Sequence, residues 1–193
     1  MSSSRNLIIV VVGVSILATL VSAFYFFYKK DGPGVAASST ASSTPVVVAS
    51  APETAVAREV PEGFREYRNT TYHFSLLYPE VLKVDEQQEG KNAITVTFQN
   101  TERGEGFQIF IVAHNEPQVS EARFKQDIPS GVRTDLANVT IDGATGAAFY
   151  SKDAALGDTR EVWFVLNGYL YEVTTLKQLD TWLGSIMQTW QFT

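Results

Sequence analysis

The chain has 193 residues, with 15 Lys plus Arg against 21 Asp plus Glu, two His and no Cys. Without Cys it has no disulfide framework, thiolate zinc site, iron–sulfur cluster, thiol nucleophile or thioether-linked lipid. A formal charge of −6 opposes a broad nucleic-acid footprint, which needs a basic face to neutralise phosphates.

After a short tail (residues 1–6), residues 7–28 read LIIVVVGVSILATLVSAFYFFY, 22 residues without a charge. As a helix rising about 1.5 Å per residue this stretch reaches roughly 33 Å, enough for a hydrocarbon core of about 30 Å. A cleaved secretory signal is the competing reading, with Val21-Ser22-Ala23 as a small-residue site. Cleavage there would leave Phe24 to Tyr28 as an apolar new terminus. An uncleaved helix instead sets those aromatics and Lys29-Lys30 at the membrane interface, where such side chains settle. The expectation is one transmembrane helix that holds the chain to the lipid bilayer.

Residues 29–63 follow as a linker. Of the 31 residues from Asp31 to Pro61, 27 are Ala, Val, Ser, Thr, Pro or Gly, and none is aromatic, so the segment cannot bury enough surface to fold. As a flexible coil it spans on the order of 30 Å. Arg5 before the helix and Lys29 plus Lys30 after it lean slightly against export of the C-terminal part. The Ser/Thr/Pro-rich stalk and the short polar tail favour the opposite. The expectation is a single-pass cell-membrane protein with its C-terminal domain outside the cytoplasm.

Residues 64–193 hold 18 aromatics, a density that calls for a packed core. Tyr72, Phe74, Leu76 and Tyr78 alternate with smaller or polar residues until Pro79, the pattern of a strand. Ala93–Phe98 and Phe107–Val112 read as strands joined across Gly104-Glu105-Gly106. Ser120 to Asp127 suits a short helix with Ser120 as its N-cap and Pro129 beyond its end. Asp142-Gly143 then separates strands 136–141 and 144–150, and Asn167-Gly168 separates strands 160–166 and 169–175. Both dipeptides supply the positive φ angles of type I′ hairpins. Leu176, Leu179, Leu183, Ile186 and Trp190 recur at three- to four-residue steps on one face of a C-terminal helix, with Trp190-Gln191-Phe192 as a closing strand. The fold class is α+β, a largely antiparallel β-sheet covered by helices.

Tyr67-Arg68-Asn69 with Tyr72-His73-Phe74-Ser75-Leu76-Leu77-Tyr78-Pro79, then Val139-Thr140-Ile141-Asp142-Gly143, the Gly168-to-Val173 strand and the terminal Trp190-Gln191-Phe192 resemble a PsbP/Mog1-like domain of the small membrane-anchored bacterial type. The resemblance covers nearly all of residues 64–193, at the level of strand and turn pattern. It implies a non-enzymatic α/β/α sandwich used for binding. No family site transfers, because the matching positions support the fold.

The chemistry-bearing residues are sparse. His73 and His114 are the only imidazoles, and a metal site needs three or four converging ligands, whereas only Glu116 is near His114. Asp153 and Asp158 beside Gly157 lack the dense alternation of a calcium loop. There is no Gly-x-Ser-x-Gly and no Ser-x-x-Lys. No catalytic, metal or cofactor set is expected. Phe110, Trp163 and Phe164 stand out as a possible partner surface, since their strands are apolar on both faces. The plainer explanation is a sheet covered on both faces; the sharper is an apolar patch meeting a protein partner in the envelope. The expected function is a membrane-tethered, extracytoplasmic, non-catalytic binding or assembly module; the alternative is an anchored small-ligand-binding protein or hydrolase with an unrecognised site.

Overall fold

A computed structural model describes residues 58–193. The expected membrane helix at 7–28 and the linker up to residue 57 lie outside the described residues. Among the described residues no helix is long and apolar enough to cross a membrane. Within the described residues ten strands and two α-helices follow in order: β1 (Phe64–Asn69), β2 (Phe74–Pro79), β3 (Lys83–Glu89), β4 (Ala93–Asn100), β5 (Glu105–Ala113), α1 (Glu121–Asp127), β6 (Thr134–Ile141), β7 (Ala144–Asp153), β8 (Gly157–Leu166), β9 (Tyr169–Leu176), α2 (Asp180–Met187) and β10 (Gln191–Phe192).

The strands form two sheets, all pairs antiparallel. The larger has seven strands in the order β3-β4-β5-β9-β8-β7-β6, and the smaller has three in the order β1-β2-β10. Local chemistry explains two of the hairpins. Asp142 and Gly143 sit at φ 44° and 86°, and Asn167 and Gly168 at 51° and 81°, as a type I′ turn requires. The β4–β5 hairpin closes with Asn100 opposite Glu105.

The small sheet and α2 pack on one face of the large sheet. Phe74 and Leu76 from β2, Phe98 from β4, Ile109 and Ile111 from β5, Phe164 from β8, Tyr171 from β9 and Leu183 from α2 share this core with Trp190. Fully burying each such side chain contributes about 1.5–3 kcal/mol. Trp190 stacks on Phe74 with ring centroids 4.4 Å apart, and Tyr171 stacks on Phe164 at 5.1 Å. A smaller core lies on the opposite face, where Phe124 of α1 and Ile128 cover Phe149, Trp163 and Leu170.

Two expectations are corrected. The helix cover is thinner than an α/β/α sandwich: one face is covered largely by the small sheet, because β1 and β2 pair with the C-terminal β10 and not with the main sheet. Leu176 ends β9, opposite Thr159, and a 3-10 turn at Lys177–Leu179 precedes α2, so the apolar helix face is Leu183, Ile186 and Met187. Trp190 lies beyond the helix and is nevertheless 3% exposed. The segment of β3, KVDEQQE, carries no strand pattern in its sequence: it is polar apart from Val84 and is held by backbone pairing with β4.

Candidate groove and buried acidic cluster

A groove of about 440 Å³ runs between the β6 side of the large sheet and α2. Its apolar wall comes from Val139 and Ile141 of β6, Val162 of β8, and Leu183 and Met187 of α2. Two of its polar groups, Arg160 and Asp180, are tied to each other and to Tyr150 beside it. Asp180, the first residue of α2, stands with Oδ1 2.9 Å from Arg160 Nε and accepts the Tyr150 hydroxyl at Oδ2 over 2.6 Å. Arg160 and Lys177 lie over the Tyr150 ring at 4.9 and 4.4 Å. The hydrogen bond to Asp180 pushes the Tyr150 phenol above its ordinary pKa. Trp190 also lines the groove, and its Nε1 has no hydrogen-bond partner among the described residues.

A second concentration of charge lies on the opposite face, under α1. Arg123 is flanked by Asp127, one helical turn on, and by Glu172 of β9, whose Oε1 is 3.3 Å from Arg123 Nη2. One strand over, the Glu161 carboxylate accepts the Thr174 hydroxyl at 2.6 Å and the Trp163 indole N–H at 3.3 Å. One guanidinium therefore serves two carboxyls, Asp127 and Glu172, while Glu161 is held by Thr174 and Trp163. Burial pushes Glu172 well above the usual carboxylate range, the charge of Asp127 adds to this, and Arg123 opposes it. Burial likewise raises Glu161, against the hydrogen bond from Thr174. This cluster docks α1.

The residues singled out as a partner surface are not brought together. Phe164 is fully buried in the main core. Trp163, 2% exposed, lies under α1 with Phe124 stacked on it at 5.1 Å. Only Phe110 is half-buried, at the margin of the smaller core. The apolar character of β8 on both faces follows from two layers of cover. The other chemistry-bearing residues serve turns and loops. His114 holds the loop after β5 through Nε2 and the Gln118 carbonyl, 3.1 Å apart. Asp153 Oδ1 accepts from the Ala155 and Leu156 amides, and Asn69 Oδ1 accepts from the Thr71 and Tyr72 amides. Among the described residues no group of three or more His, Cys, Asp or Glu is placed to hold a metal ion.

Sequence reasoning missed both the groove and the acidic cluster. Tyr150, Arg160 and Asp180 are too far apart in sequence to signal contact. Glu161 and Glu172 did carry a signal, a carboxylate inside an otherwise apolar strand.

No family model and no curated protein matches the chain. Among solved structures, it is similar to the solution structure of cyanobacterial PsbP (CyanoP) from Synechocystis sp. PCC 6803, with a TM-score of 0.51 and 14% identity over 74% of this chain and 100% of that one. The fold is PsbP-like. At that identity the likeness concerns the fold alone.

Proposed function

We propose that this chain is a single-pass membrane-anchored protein whose C-terminal domain acts outside the cytoplasm as a non-catalytic binding or assembly module. The observation that carries this reading is the groove between β6 and α2, an open depression over a largely buried apolar floor with Val139 part-exposed at its rim, where Arg160 and Asp180 pair with each other. An apolar floor with a few polar groups at one end is the make-up of a contact surface. The uncharged stretch at 7–28 and the folding-incompetent linker supply anchor and reach.

The test is site-specific photocrosslinking in intact cells. A photoreactive residue at Gln188, on the groove, is expected to trap a discrete protein adduct, and one at Asp85, on the far edge strand, to trap none. Equal adducts from both positions, or none from either, would overturn the reading. In the same cells an externally added protease is expected to remove the C-terminal domain. Protection until lysis would reverse the orientation.

A further inference from the structure

The seven-stranded sheet has two edges, and they are defended unequally. β3 carries Lys83, Asp85, Glu86 and Glu89 along seven residues, the charge load that keeps an edge from pairing with a stranger. On β6, the stretch Leu136–Ile141 carries no charge. Its start is blunted by a bulge between Thr134 and Ala137, with Asp135 at φ 55°, but from Ala137 to Ile141 its register with β7 is unbroken.

The turn fixes which backbone groups are free. A two-residue type I′ loop closes on a hydrogen-bonded pair, here Ile141 and Ala144. Alternation then turns the N–H and C=O of Ile141, Val139 and Ala137 toward β7 and those of Thr140 and Asn138 outward. Among the described residues nothing beyond β7 bonds these four outward groups. The side chains of Val139 and Ile141 stand on the groove face. A strand added about 4.8 Å outside β6 would set every second side chain at the groove, next to Val139 and Ile141.

Charge selects among possible occupants. Exposed carboxylates, Asp135 and Asp142, flank the uncharged stretch at its two ends, and residues 64–193 hold 17 acidic against 11 basic residues. A second copy would set like charges against these, whereas basic flanks would complement them.

We propose that the β6 edge, Ala137–Ile141, receives an extended segment of a partner protein, apolar at the positions facing the groove and basic at both flanks, as an eighth strand of the large sheet. This rests on the binding-module reading and names its partner class.

The test uses the full chain in detergent micelles and a labelled peptide, Lys-Val-Thr-Val-Thr-Val-Lys. The peptide is expected to bind and to slow hydrogen exchange at the Asn138 and Thr140 amides. N-methylation of its alternate, ladder-forming amides is expected to weaken binding by roughly tenfold or more, and Glu in place of its flanking Lys residues by roughly tenfold at low salt. Thr140→Pro, which removes an outward N–H at a position where an edge strand accepts proline, is expected to abolish binding with little change in the urea midpoint. The N-methylated peptide keeps the test independent of how that variant folds. No binding, binding indifferent to N-methylation, or protection of the same amides by self-association without peptide would each overturn the proposal. A Gln188 adduct found together with a failed peptide would sink the strand-addition proposal and leave the binding-module reading standing; absence of the adduct would remove the reading itself.

Discussion

Glu172→Gln is expected to stabilise the domain at neutral and alkaline pH and to leave it nearly unchanged in acid. Glu172 sits beside the smaller core with Arg123 as its one ion-pair partner among the described residues, and Arg123 also serves Asp127. The groups facing it are Arg123 and Asp127 from α1 and Glu161 from β8. Its carboxyl is raised by burial and by Asp127, so the native state binds a proton more tightly than the unfolded chain does. Stability from that proton is complete below the ordinary Glu value of about 4.3 and is lost as pH rises through the raised value. Each tenfold in proton affinity between the two states is worth about 1.4 kcal/mol. Glutamine keeps the volume, still accepts from Arg123 and never ionises. The variant should therefore exceed the wild type at pH 8 and match it near pH 4.5, the gap opening as pH rises through the raised value. Urea titrations followed by fluorescence, with Trp163 adjacent, measure this across the pH range. A variant less stable than the wild type at pH 8 would show that Glu172 is bound as a carboxylate and would refute the reasoning.

Other expectations follow from packing and from the groove. Phe164→Ala removes a fully buried ring stacked on Tyr171 and should cost about 3–5 kcal/mol in denaturant unfolding. Gly146→Ala puts a Cβ 2.3 Å from the Trp163 carbonyl oxygen, so β7 and β8 must part; a loss of about 1–3 kcal/mol is expected in the same assay. Gly184→Ala meets nothing within 4 Å and fills an α2 position, which should raise stability by about 0.5–1 kcal/mol. Asp180→Asn removes the carboxylate that accepts the Tyr150 proton, so the Tyr150 phenol should titrate at lower pH, seen as earlier phenolate absorbance in the ultraviolet.

The legible parts of the fold are those whose cause is local. Asn167-Gly168 and Asp142-Gly143 dictate their turns wherever the chain is placed, and Ser120 caps α1 through the Arg123 amide at 3.3 Å. What was not legible depends on a distant partner. β3 contributes one partly buried apolar residue, Val84, and exists because β4 offers it a ladder. β10 is two residues long and pairs with Phe74 and Ser75 from the other end of the domain, which makes the small sheet a layer of its own. Leu176 kept a helical spacing to Leu179 and Leu183 yet pairs with Thr159, since strand pairing outweighs a spacing shared by chance. The groove is non-local in the same sense, joining β6, β8 and α2.

Trp163 shows how narrow the margin was between the two readings of β8. It is buried only because α1 lies over it, and seven residues are too few for a helix that stands alone in water. Two contacts hold α1 down: the Phe124 ring on the Trp163 indole, and Arg123 between Asp127 and Glu172. Arg133, over the outer side of Phe124 at 4.2 Å and paired with Glu121, adds a third from the chain that follows. Without these contacts Trp163, Phe149 and Leu170 would form the exposed apolar patch that the sequence of β8 suggests. Glu172 inside β9 is thus the readable sign of the cover: a buried carboxyl, ionised or not, demands a hydrogen-bonding partner, and the short helix after β5, with Arg123 at its centre, supplies it.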